Sequence, residues 1–129
     1  MMSCVFCSRD DSRIIFENDL WYVMSDKYPL TDNHCLIIPK RHCGRYLEMT
    51  GMEQIGLMHM IPIVMRLLEL QISPTGSNVG INDGVSAGQT IDHLHIHIIP
   101  RKYGDVDDPR GGVRWVIPTK ANYWREGNE

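Results

Sequence analysis

The chain has 129 residues, of which 43% are hydrophobic and 22% charged, with a formal net charge of −3. This size and balance fit one globular domain around one core and exclude a disordered chain. The acidic balance excludes duplex DNA or RNA as a main partner, since such binding needs many Lys and Arg contacts to phosphate; a small phosphate-bearing ligand needs only a local site. No apolar run approaches ~18 residues, so no membrane partner is expected. Met1 to Cys7 carries neither a basic region nor a long apolar one, so a secretory leader is not expected and the location is read as cytoplasmic.

Cys4-Val5-Phe6-Cys7 opens the chain. Two thiolates at this spacing can grip one zinc, with two ligands supplied from elsewhere. The redox reading wants a strand before and a helix after, whereas the polar turn Ser8 to Ser12 follows here. Two plain thiols are the third reading. Arg13 to Phe16 and Leu20 to Met24 are short apolar runs around Glu17-Asn18-Asp19, which predicts a hairpin. Asp26 lies just past the second run, where a functional carboxylate and a solvated loop acid both fit. His34 to Pro39 is a third strand, followed by the basic Lys40-Arg41-His42.

Thr50-Gly51-Met52-Glu53 reads as a capping box that starts a long apolar helix ending near Leu70. Pro62 should kink it or remove one hydrogen bond, and its methionines read as core filler. Ser77 to Gly84 predicts another strand. Gly84 to Gln89 is a loop of small residues whose backbone can approach an anion closely. After Arg101 the chain turns polar. Val113 to Pro118 reads as one more strand, and Trp115 and Trp124 can close a pocket, join a subunit contact or simply pack.

The densest chemistry is His93-Leu94-His95-Ile96-His97-Ile98. Alternation of this kind predicts a half-buried strand with three imidazoles on one face, the outer two roughly 13 Å apart. Three readings follow. The histidines chelate a catalytic metal, although three in a row do not easily converge. Alternatively, one is a covalent nucleophile while its neighbours hold phosphate and zinc. In the last, the row is structural or binds a ligand without turnover.

His93 to Ile99 resembles the His-φ-His-φ-His-φ-φ signature of the histidine-triad (HIT) superfamily of nucleotide hydrolases and transferases. Ile81-Asn82-Asp83-Gly84 with Ala87-Gly88-Gln89-Thr90 is similar to the family's approach to phosphate, and His34 to His42 is similar to its His-x-Leu-φ-φ-Pro-Lys-x-His strand. The resemblance covers Cys4 to Arg101. It implies an α+β fold with a five-stranded, mostly antiparallel sheet, one long helix and a short one. The sheet would extend across a homodimer. A single domain would span 1–129, with a zinc-knuckle N-terminus at 1–12 and a C-terminal tail at 102–129.

The resemblance also implies roles. His95 matches the nucleophile, and His97 matches the residue that binds phosphate and assists the leaving group. Gly88, Gln89 and Thr90 match phosphate contacts, Asn82 a ligand contact near the ribose-phosphate, and Asp26 the carboxylate for the ribose hydroxyls. Cys4, Cys7, His42 and His93 match the ligands of a structural zinc in bacterial members, and Mg²⁺ can accompany a polyphosphate substrate. The implied activity is cleavage at the α-phosphate of dinucleoside polyphosphates through a nucleotidyl-histidine. Adenosine phosphoramidate hydrolysis and dinucleoside polyphosphate phosphorolysis are the alternatives, and a zinc-stabilised nucleotide-binding module is the non-enzymatic one.

Overall fold

A computed structural model describes residues 3–126, so the outermost ends of the N-terminal knuckle and the C-terminal tail lie outside the described residues. In chain order the elements are β1 (Ile14–Glu17), β2 (Trp21–Ser25), β3 (Cys35–Pro39), α1 (Gly51–Ile72), β4 (Gly76–Ile81), β5 (Ile96–Arg101) and a short α2 (Pro118–Ala121). The strands form one sheet in the order β1-β2-β3-β5-β4, and every neighbouring pair is antiparallel. The expected α+β architecture of five strands, one long helix and a short one is therefore present.

Local chemistry explains the elements. The β1–β2 turn is held by Asn18, whose Oδ1 accepts from the Leu20 and Trp21 amides at 3.2 and 3.0 Å; short polar side chains favour such turns. Thr50 caps α1: its Oγ1 accepts from the Glu53 amide at 3.1 Å, while Glu53 Oε1 accepts from the Thr50 amide at 2.8 Å. The helix runs through Pro62, which is exposed and so breaks the ladder on the solvent side. It ends at Ser73, whose φ of 47° is left-handed.

The buried residues of α1, namely Glu53, Leu57, Met60, Val64 and Leu68, recur every three or four positions and form one stripe. The apolar members pack on Trp21, Val23, Ile37, Ile96 and Ile98 from the sheet; each such side chain stabilises the fold by roughly 1.5–3 kcal/mol. By length and composition alone α1 could cross a bilayer, with a mean hydropathy of 1.5 over its most apolar window. Its buried stripe and its contacts with β2, β3 and β5 make it the partner of the sheet.

Glu53 is buried, and a buried carboxylate must be paired. It takes Arg41 Nη2 at 2.8 Å and Nε at 3.1 Å, and its carbonyl accepts from Trp21 Nε1 at 3.2 Å. This ties the start of α1 to the segment that carries His42. On the opposite face of the sheet Tyr22, Met24, Leu36 and Ile38 pack against Phe6, drawing the N-terminal Cys-x-x-Cys onto the sheet.

Two expectations need correction. The histidine strand begins at Ile96, not His93. The β3–β5 ladder stops at Ile37 with Ile96, and the Leu94 amide turns to the Cys43 carbonyl at 2.6 Å, so His93 to His95 lie beyond the sheet. Val113 to Pro118 is not a strand: Gly112–Val116 is a 3₁₀ turn that leads into α2. Gly111 and Gly112 adopt φ of 96° and 48°, which coils the chain and satisfies its amides locally, as in Arg114 N to Gly111 O at 2.8 Å.

Candidate active site and metal centre

A neutral imidazole has one protonated and one lone-pair nitrogen, so the partner of one nitrogen assigns the other. Applied to the three triad rings, this rule divides them. His93 is fully buried, and its Nε2 lies 2.8 Å from the Pro39 carbonyl, which can only accept. The proton is on Nε2, and the Nδ1 lone pair points to Cys4 Sγ at 3.4 Å and Cys7 Sγ at 3.5 Å. His42 Nδ1 is 3.2 Å from Cys7 Sγ. The four ligand atoms lie within 4.8 Å of one another. A tetrahedral zinc with bonds of about 2.0–2.3 Å needs ligand separations of this order. The carbonyl behind His93 is the usual outer support of such a ligand. The predicted set Cys4, Cys7, His42 and His93 is thus brought together in a geometry that suits zinc.

His95 is also buried, and its Nδ1 lies 2.8 Å from the His93 carbonyl. The proton is therefore on Nδ1, and Nε2 carries a free lone pair. Phe6 packs edge-on against the ring, with centroids 5.1 Å apart. His97 is oriented by a residue to which the sequence reading assigned no role. The Leu30 amide donates to His34 Nδ1 at 3.0 Å, which leaves the His34 proton on Nε2. That Nε2 is 2.9 Å from His97 Nδ1, so His97 accepts there and keeps its own proton on Nε2. Asp26 Oδ2 stands 3.4 Å from His34 Nε2 and 3.9 Å from His97 Nδ1, and its Oδ1 takes the Tyr28 amide at 2.8 Å. The rings of His95 and His97 are neighbours at 5.2 Å.

Asp26, His34 and His97 also have their donor atoms within 4.8 Å. The Leu30 amide decides against a metal there, because it occupies the His34 Nδ1 lone pair and obliges Nε2 to keep its hydrogen. The only signal for His34 in the sequence was its place at the head of the His34-to-His42 stretch.

The loop before the triad is held by Gln89. Its Oε1 accepts from the Gly84 amide at 2.8 Å, and its Nε2 donates to the Gly44 and Ile91 carbonyls at 2.8 and 3.0 Å. Gly88 takes a left-handed φ of 97°, which suits glycine. Asp83 binds Arg45 Nε and the Tyr46 amide, both at 3.0 Å, closing the other side of the loop. Thr90 and Asn82 are exposed. From Asp26, His34, Asn82 and His97 a cavity of about 1220 Å³ runs under the C-terminal segment to Trp115. Trp124 lies apart from it, beneath the Arg110 guanidinium at 4.7 Å.

Burial, reinforced by the neighbouring His95 and His34 rings, pushes His97 down to about 4, with Asp26 pulling the other way. Burial also lowers His34, against the same carboxylate. A depressed native value means that the unfolded chain binds the proton first. The stability contributed is full above the ordinary value of 6.5 and is lost as pH falls towards about 4. Urea denaturation should therefore show the midpoint dropping between pH 6.5 and 4, and a His97→Asn variant should show a shallower drop. Equal slopes in the two proteins would refute this origin.

Residues 8–104 match the HIT domain family. Over 97 residues the chain is 36% identical to the bis(5'-nucleosyl)-tetraphosphatase [asymmetrical] of Schizosaccharomyces pombe, covering 75% of this chain and 53% of that protein. It is 31% identical over 101 residues to an AP-4-A phosphorylase of Mycobacterium tuberculosis, covering 78% and 52%. The chain thus spans about half the length of each of these relatives. Among solved structures, a Zn-bound histidine triad family protein of Mycobacterium smegmatis superposes with a TM-score of 0.73 at 31% identity, covering 80% of this chain and 78% of that one. With three quarters of its length matched and its histidines arranged as described, the chain belongs to the HIT domain family.

Proposed function

We propose that this protein cleaves dinucleoside polyphosphates at the α-phosphate through a nucleotidyl-histidine on His95. The observation that carries this reading is the pairing of the His95 Nε2 lone pair with the adjacent His97 Nε2–H, each set by a hydrogen bond behind it. His95 Nε2 attacks phosphorus and the bond to the leaving oxygen breaks. The imidazolium so formed keeps its Nδ1–H on the His93 carbonyl. His97 Nε2–H hydrogen-bonds a phosphate oxygen as charge shifts to the leaving group. Water then attacks phosphorus, the P–N bond breaks and His95 returns neutral, with the water's proton passing to solvent. Asp26 and Asn82, which line the cavity with His97, would meet the ribose. Gly88, Gln89 and Thr90 form the phosphate side, with Gln89 shaping the loop.

A His97 held neutral at ordinary pH is a hydrogen-bond donor rather than a strong acid. That suits a polyphosphate, which leaves as an anion, better than the amine of a phosphoramidate, which needs a proton. The likeness to a phosphorylase supports a second reading, in which inorganic phosphate replaces water at the same intermediate. His95→Ala should lower turnover of diadenosine tetraphosphate by at least about a thousandfold; wild-type turnover in that variant would refute the nucleophile. Running the wild type with and without phosphate, with oxygen-18 water, separates the two readings. Label in the released mononucleotide means hydrolysis, and an unlabelled nucleoside diphosphate means phosphorolysis.

Zinc on Cys4, Cys7, His42 and His93 would be structural, because four protein ligands leave no open position. It would hold Phe6 and His93 in place behind His95. Elemental analysis of the reduced protein should give one zinc per chain, and stripping it should lower the melting temperature. A metal-replete protein with no zinc would sink the site.

The reading extends to a homodimer. β4 is an edge strand, and α1 turns Met52, Ile55, Met58, Met65 and Leu70 to solvent. An open edge beside an exposed apolar face is a liability that a second copy would cover. Light scattering should report twice the chain mass, and Met58→Glu should halve it; a single-chain mass for the wild type at every concentration would end the proposal.

A further inference from the structure

The cavity at His97 does not stop at the nucleotide-sized region around Asp26 and Asn82. At about 1220 Å³ it exceeds the roughly 300–1,000 Å³ of pockets for single small ligands. Its lining includes His97, read above as the partner of the leaving group, but not His95. A leaving group that His97 hydrogen-bonds would therefore depart into this cavity. The cavity then follows the outward residues of β5, from His97 past Ile99 to Arg101, a run of roughly 13 Å.

The far wall comes from a segment outside the part of the chain matched to the HIT domain family, which ends at residue 104. Val113, Trp115 and Val116 supply it. Trp115 differs from the aromatics that follow it. Trp124 and Tyr123 lie under the Arg110 and Arg114 guanidinia, each at 4.7 Å. The Trp115 indole faces the cavity and is 45% exposed. It is nonetheless held in place. Its Nε1 donates to the Arg110 carbonyl at 2.8 Å, and it packs so close over Gly111 that a Cβ there would stand 3.0 Å from Nε1. A large apolar ring kept exposed and fixed is a costly arrangement for packing alone, and an economical one for stacking on a flat ligand.

We propose that the far end of this cavity, between Ile99 and Trp115, is the subsite for the base of the leaving nucleoside, and that Trp115 sets the preference for substrates that carry one. This rests on the reading of His95 as the nucleotidyl acceptor. The polyphosphate would leave along β5 and place its terminal nucleoside on the indole. A leaving group without a base would make no use of the subsite.

The test compares two substrates that share the adenylyl half: diadenosine tetraphosphate, whose leaving half ends in adenosine, and adenosine 5′-phosphoramidate, whose leaving group is ammonia. Loss of one base stack predicts that Trp115→Ala lowers the ratio of their kcat/KM values about tenfold, mainly through KM for diadenosine tetraphosphate. Trp115→Phe keeps a stacking ring and should restore most of the ratio. An unchanged ratio in Trp115→Ala, an equal loss on both substrates, or a failure of Trp115→Phe to restore the ratio would overturn the subsite while leaving nucleotidyl transfer intact. A wild type inactive on both substrates would instead refute the transfer reading, and this inference with it.

Discussion

A neutral imidazole has two nitrogens and one proton, and the candidate site depends on that constraint. The carbonyls of Pro39 and His93 each accept a hydrogen bond from a triad ring, and His34 donates one to the third. Three chemically identical side chains, spaced two residues apart, thereby differ: one turns its lone pair to the two cysteines, one holds a free lone pair and one presents an N–H. No charged partner is needed to tell them apart; burial and backbone carbonyls suffice. The same burial that keeps His97 neutral makes the arrangement sensitive to acid, because a second proton on His97 would put a donor at Nδ1 facing the His34 Nε2–H.

The carbonyls do their work only where the backbone puts them. Pro39 ends β3 beyond the last pair of the β3–β5 ladder, where its carbonyl meets the His93 ring. The buried Glu53 holds Arg41, and through it the segment from Lys40 to Cys43, against the first turn of α1. The Leu94 amide then joins the Cys43 carbonyl. One network thus fixes His42 and the approach to the triad together. Phe6 completes the enclosure: it is buried between the cysteines, in a motif that needs only Cys4 and Cys7 for its ligands, and it seals His95 from the side of the metal corner.

Gln89 shows how a polar side chain in the loop before the triad can act through the backbone. All of its hydrogen bonds run to main-chain groups of Gly84, Gly44 and Ile91, so the loop is shaped before any ligand arrives. The C-terminal segment extends the site from the other end. Its two left-handed glycines turn a stretch with the composition of a strand into a compact coil, and that coil brings Trp115 across the outward face of β5.

The sequence by itself determined what short-range rules control. The short apolar runs specify the sheet, Thr50 with Glu53 starts the helix, and the spacing of Cys4, Cys7 and the triad supplies ligand types and order. The resemblance carried by His93 to Ile99 and by His34 to His42 named the candidate residues. Tertiary structure alone decided which nitrogen of each histidine is free, because that depends on carbonyls and amides up to 54 positions away, as between His93 and Pro39. It also decided that the histidine stretch leaves the sheet before Ile96, that His34 orients His97, and that the segment after Gly111 is a coiled wall rather than a strand. Periodicity reports which side chains share a face. It does not report where a ladder loses its partner, or which remote backbone group accepts a ring proton, and those are the contacts on which this site's chemistry rests.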